Sequence, residues 1–159
     1  MNPFTALLYL LAGSQIVTSL AAVSVARRVT SSARSKAADR HEARKHQVVF
    51  QVSVEGQEQW QGVLANLENL QKAFGPESTR IEVVCFGKGI DMLLNTDAPL
   101  VQRIAKDKAA GVEFAACRNT LRARHLTPAD LLPSATTVDS GIAEIVRRQE
   151  QGWAYIKGG

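Results

Sequence analysis

Cysteine is scarce in this chain: its 159 residues include only two, Cys85 and Cys117. Two thiols cannot form a disulfide framework. No Cys-x-x-Cys pair occurs, and His41, His46 and His125 are too scattered to give zinc-ligand spacing. The chain has neither a Walker A sequence nor a G-x-G-x-x-G run. No Ser-His-Asp or paired-carboxylate arrangement stands out, and the acids are scattered over what read as helix surfaces. No metal or other cofactor is therefore expected.

A positive field over the folded part is also missing. The net charge is +4, but residues 27–46 alone hold seven Lys/Arg against two Asp/Glu. From residue 47 onward, twelve Lys/Arg face thirteen Asp/Glu, so the basicity belongs to a short connecting segment. No nucleic-acid partner is expected from such a distribution. A hydrophobic content of 45% with 21% charged residues is ordinary for a globular fold, and the length suggests one domain.

The first part of the chain stands apart. Residues 3–26 are almost continuously apolar, with only Ser, Thr and Gln as interruptions. At about 1.5 Å per residue, such a run is long enough for the roughly 30 Å core of a bilayer. Two readings of residues 1–26 stay open: a signal peptide, with Ser24-Val25-Ala26 offering small residues before a cleavage site, or an uncleaved membrane anchor. No basic residue precedes the run, whereas Arg27, Arg28, Arg34 and Lys36 follow it. That pattern favours a cytoplasmic C-terminal side for an anchor and argues against export. The expected location is the cell envelope: periplasmic if the leader is cleaved, otherwise inner-membrane anchored with the face undecided. Residues 27–46 lack an apolar stripe and read as a basic linker.

From residue 47 to 159, strand and helix patterns alternate. The β-branched run at 48–54 reads as a strand, and Trp60, Val63, Leu64, Leu67, Leu70 and Phe74 follow at helical spacing. Gly75-Pro76 stops that helix. Further strands are expected at 81–86, 112–117, 135–138 and 153–156. Further helices are expected from Asp97, a cap with Pro99 in the first turn, to Gly111; at 119–124; and at 140–150 with Ile142, Ile145 and Val146 on one side. Thr127 to Asp130 resembles a capping box. The expected fold is three-layer α/β/α with a mostly parallel five-stranded sheet, preceded by an N-terminal apolar helix. Right-handed crossovers would gather the strand C-termini at one edge, where open α/β sheets bind ligands.

Cys117 is the main candidate for chemistry at that edge. It ends a strand and precedes a helical turn, where free N–H groups and Arg118 favour a thiolate over a thiol. The competing reading is an inert buried cysteine. Cys85, inside Val83-Val84-Cys85-Phe86, reads as core. Gly87-Lys88-Gly89 has the composition of an anion-binding turn, but alone it reads more simply as a plain tight turn. His125 reads as a solvated loop residue that could lie near Cys117. Trp153 and Tyr155 read as edge-strand or subunit packing.

Several segments carry a family resemblance: 48–54; IEVVCFG at 81–87 followed by GIDML at 89–93; FAACRNTL at 114–121; LTPADLL at 126–132; and 140–156, ending GWAYI. In this order and spacing they resemble the DsrE/DsrF-like family of sulfur-relay proteins. The resemblance implies a three-layer α/β fold and homo-oligomers, as trimers or hexamers. It also implies a persulfide-carrying cysteine at the end of the third strand, a position held here by Cys117. On that reading Cys117 carries sulfane sulfur, N–H groups of Arg118, Asn119 and Thr120 stabilise the anion, and Gly87, Lys88 and Gly89 receive an anionic donor. Sulfur donor and acceptor are unnamed, and turnover as an enzyme is left open. The alternatives are a non-catalytic oligomeric module that binds a small anion or a protein and, by architecture alone, a nucleotide or flavin binder.

Overall fold

The computed structural model describes residues 46–94 and 98–158. The leader, the linker up to residue 45 and the proposed Asp97 cap lie outside the described residues. Among those described, no helix is long and apolar enough to cross a membrane.

The alternation of strand and helix holds throughout. Strand β1 is His46–Val52 and helix α1 is Gln57–Phe74. Strand β2, Thr79–Cys85, is followed by a 3₁₀ segment, Gly87–Leu93, and helix α2, Ala98–Ala109. Strand β3, Glu113–Cys117, runs directly into helix α3, Arg118–Ala123. Strand β4, Ala135–Val138, helix α4, Gly141–Glu150, and strand β5, Ala154–Lys157, complete the order. The boundaries differ from the sequence expectation by one or two residues. The Thr127/Asp130 capping box is present, opening a 3₁₀ turn at Pro128–Asp130.

The five strands pair in the order β4-β3-β2-β1-β5, and every pairing is parallel. The chain steps outward from β1 to β4, then returns to the far side of β1. Because crossovers are right-handed, that reversal sends α4 to the opposite face from α1 and α2. The two cores record it. Phe50, Val83, Cys85 and Phe114 pack under Trp60, Leu64 and Leu67 of α1 and Leu100 and Ile104 of α2. Val49, Val84 and Ala115 pack with Ile145 and Trp153 on the other face.

This second face carries charge as well as apolar contacts. Glu82 is buried beside Glu113 in the β2–β3 register. Arg148 of α4 pairs with Glu82, and also with Glu144 at 2.9 Å, while Arg80 reaches Glu113 at 3.3 Å. Pairing both carboxylates answers the cost of placing like charges side by side under a helix. The guanidinium groups of Arg148 and Arg80 lie over the Trp153 ring, 4.6 and 5.1 Å from its centre. It is therefore buried under cations, not free as an edge-strand contact. One expectation about α4 is also revised: of the three apolar residues read on one side, Ile145 turns inward, whereas Ile142 and Val146 point outward at 56% and 47% exposure.

Candidate functional site

Cys117 sits where two helices begin. It ends β3 with extended backbone angles, φ −72° and ψ 115°, and is the N-cap residue of α3. Its neighbour Ala116 is in register with Cys85, and both belong to the main core. Alternation along the strand puts Cys117 on the other face, the one covered by α4. There α4 starts with Ser140 as N-cap, its hydroxyl accepting from Ala143 N–H at 3.4 Å.

The first residue of α4 completes the site. The N–H groups of Gly141, Thr120 and Asn119 and the Thr120 hydroxyl are the groups that favour the anion of Cys117. None closes a side-chain capping bond on the neutral thiol. These donors lack a helical partner and would gather on an anion. Burial opposes ionisation of Cys117, but the donors, led by Gly141, outweigh it and hold the thiol below its ordinary value. Cys85 is the reverse case. It is fully buried with no compensating donor, and burial pushes its thiol far up. The two cysteines thus diverge as the sequence suggested, and they lie on opposite faces of the sheet.

Cys117 is less open than a sheet-edge position suggested, at only 4% exposure. The start of α4 lies against it, and Gly141 explains how it fits so closely. An added Cβ on Gly141 would sit 2.9 Å from Phe86 Cδ1 and 3.1 Å from Phe86 Cβ. Sequence reasoning missed Gly141, although a glycine opening a helix, directly after a capping serine, is a signal of close approach.

The other expected residues fall around this centre in different ways. Gly87, at φ 55°, donates its N–H to Thr120 Oγ1 at 3.1 Å, so it reaches the sulfur through Thr120. Gly89 lies against the end of β1, where a Cβ would come within 2.3 Å of Val52 O, and its N–H goes to Phe86 O at 3.0 Å. The N–H groups of both glycines are therefore engaged inside the protein, as in a tight turn. Lys88 pairs with Glu55 at 2.6 Å, and both side chains are exposed. Arg118 is exposed and pairs with no acid among the described residues. Asn119 accepts from Arg122 through its side chain. His125 closes α3 at the end remote from Cys117, exposed and in the left-handed conformation at φ 55°. No group of three or more potential metal ligands occurs among the described residues.

Fold and site define a class: a parallel α/β domain with a cysteine at a strand-to-helix junction on the C-terminal edge of its sheet. The chain belongs to the DsrE/DsrF-like family, whose model matches residues 44–157. It is similar to MTH1491 from Methanobacterium thermoautotrophicum, a solved protein of unknown function, at 38% identity over 70% of this chain and 98% of that one, with a TM-score of 0.66. The ychN protein of E. coli is similar at 13% identity, covering 71% of this chain and 98% of its own, with a TM-score of 0.56. BT1422 from Bacteroides thetaiotaomicron, a conserved protein of unknown function, shows 11% identity, coverage of 72% and 97%, and a TM-score of 0.52. At these last two identities the likeness speaks for the fold alone. No curated protein matches the chain significantly. Family membership supports a role of the sulfur-relay type.

Proposed function

We propose that this protein handles sulfur in relay fashion, carrying sulfane sulfur as a persulfide on Cys117. The observation that carries this reading is the place of Cys117 at a strand-to-helix junction, where three N–H groups and a hydroxyl from two helix starts favour its anion. The reaction needs a nucleophilic sulfur anion and no cofactor. The Cys117 thiolate attacks the sulfane sulfur of a donor, R–S–S⁻ or thiosulfate. The donor's S–S bond breaks, and its thiolate or sulfite leaves. Cys117 then holds Cys–S–S⁻, and an acceptor thiolate later takes the outer sulfur and releases the Cys117 thiolate. Since Cys85 lies on the other face of the sheet, that acceptor comes from outside the chain. Lys88 would orient an anionic donor after leaving Glu55, and Arg118 would add positive charge at the mouth.

The same reading includes self-association as a trimer or hexamer. It is supported by the outward Ile142 and Val146 of α4, with Tyr155 at 40% exposure on β5. Light scattering on the native protein tests it, and a clean monomer at micromolar concentration counts against it. An envelope location is supported by the apolar run at 3–26. Protease accessibility in spheroplasts decides the side.

The deciding experiment for the sulfur reading is intact mass after exposure to a sulfur donor. The wild type should gain about 32 Da per sulfur, removable by reductant. Cys117→Ser should gain nothing while keeping its fold. Equal uptake by Cys117→Ser would sink the proposal and leave a non-catalytic binding module as the better reading.

A further inference from the structure

We infer that Thr120 is a positioning residue through which the Gly87–Gly89 turn acts on Cys117, its hydroxyl being held as a donor toward the sulfur. Three observations carry this, two of geometry and one of electrostatics. The oxygen of the hydroxyl accepts from Gly87 N–H at 3.1 Å. The hydroxyl belongs to the first turn of the helix that Cys117 caps, and it is one of the groups that draw that thiol below its ordinary value. The turn that supplies the Gly87 N–H has no slack, because Gly89 lies against the backbone of Val52 and Ser53, and Phe86 N–H bonds Val52 O at 3.1 Å.

A free threonine hydroxyl rotates and can donate or accept. Here its oxygen already accepts an N–H fixed by the β1–β2 edge, so its hydrogen is left for the sulfur. A hydroxyl that accepts one hydrogen bond also becomes a stronger donor in the next. The effect favours a thiolate or persulfide anion, which only accepts, over the neutral thiol. It also gives the glycine turn a role at the sulfur without any direct contact. The inference rests on the sulfur reading only for its biological meaning, because thiol reactivity can be measured without any sulfur donor.

The test is the pH profile of Cys117 alkylation by iodoacetamide, a neutral reagent, read by mass spectrometry on the full-length protein. Thr120→Val keeps the shape and removes the hydroxyl; Thr120→Ser keeps the hydroxyl. The charged groups around the site, Arg118, the Lys88–Glu55 pair and the Asp139–Arg147 pair, are the same in all variants. Thr120→Val should move the midpoint up by about one pH unit, slowing alkylation below the midpoint about tenfold. Thr120→Ser should return to the wild-type profile. At high pH all three should react at similar rates. If Thr120→Val folds poorly, judged by its melting curve, Thr120→Ala takes its place with the same expectation. A Thr120→Val profile that superimposes on the wild type, or a Thr120→Ser profile that follows the valine, overturns the inference. Persulfide uptake can fail while these profiles hold, so the two ideas fail separately.

Discussion

Gly141→Ala is the most searching single substitution, because it adds one methyl group at the seam between Cys117 and α4. Its backbone is not left-handed, so alanine meets no conformational penalty there. Intrinsic helix propensity alone would favour alanine by up to about 1 kcal/mol, and by less at a helix start. The steric term has the opposite sign. The new Cβ would lie 2.9 Å from Phe86 Cδ1, 3.1 Å from Phe86 Cβ and 3.2 Å from Phe86 Cγ. Carbon atoms prefer separations of about 3.5–4.0 Å, so something must move by roughly half an ångström. Ring rotation cannot relieve the contact with Phe86 Cβ, so the start of α4 or the end of β2 has to yield. Overpacking of this kind costs about 1–3 kcal/mol, leaving a net loss of about 1–2 kcal/mol after the helix gain. A shift of α4 also draws the Gly141 N–H away from Sγ, so alkylation near pH 7 should slow severalfold. Urea unfolding and iodoacetamide labelling measure the two effects in one preparation. Phe86→Ala removes the two ring contacts but not the Cβ contact. In that background, Gly141→Ala should cost about 1 kcal/mol less, a non-additivity expected of touching residues. Wild-type stability and wild-type labelling in Gly141→Ala would refute the reasoning. An undiminished cost in the Phe86→Ala background would refute its steric part.

Cys85→Ser should lose about 1–3 kcal/mol by urea unfolding, since its hydroxyl would lack a partner in the core, while persulfide uptake stays at wild-type level. Asp107 gives a pH signature. Burial, with Glu68 nearby, raises its carboxyl from the ordinary 3.8 to about 6, and Oδ2 has no hydrogen-bond partner. A raised folded pKa means that its contribution to stability is full below about pH 4 and is lost as pH rises through about 6, a change of about 3 kcal/mol at 1.36 kcal/mol per unit. Asp107→Asn should remove that slope between pH 4 and 7, whatever its amide costs, and an unchanged slope in urea titrations would show that Asp107 is not its source.

The fold was readable because its signals are local. The apolar positions of α1, Trp60, Val63, Leu64 and Leu67, recur at helical spacing and are all buried. Gly75 stops α1 at φ 83°, with its N–H capping Gln71 O. What local signals could not supply was the return of the chain past β1. Among the described residues, that reversal gives α4 a sheet face to itself. It explains why Ile145 is buried while Ile142 and Val146, four residues apart on the same helix, remain exposed. Among the described residues this helix is alone on its face of the sheet and buries a narrow stripe, whereas the sequence pattern suggested a broader one. Trp153 was misread for a related reason: its cover comes from Arg80 and Arg148, whose approach depends on tertiary pairing with Glu113, Glu82 and Glu144.

The site divides along the same line. Asn119 and Thr120 follow Cys117 in the chain, so a strand-to-helix junction already implies that their N–H groups turn toward its sulfur. Gly141 is 24 residues away, and its approach requires β4 to pair beside β3 and α4 to start from the adjoining edge. The glycine turn at 87–89 reads in sequence as a tight turn or an anion-binding one, and its role depends on which atoms receive its N–H groups. A bound anion and the Thr120 hydroxyl are both acceptors, and sequence cannot choose between them. The register can: Val52 pairs with Cys85, which brings the end of β1 against Gly89 and turns Gly87 toward α3. The thiolate site is therefore a product of three chain segments that meet only when the sheet is complete. It follows that substitutions at Gly87, Gly89 or Gly141 should alter sulfur reactivity without contacting a substrate, each through the backbone it holds in place.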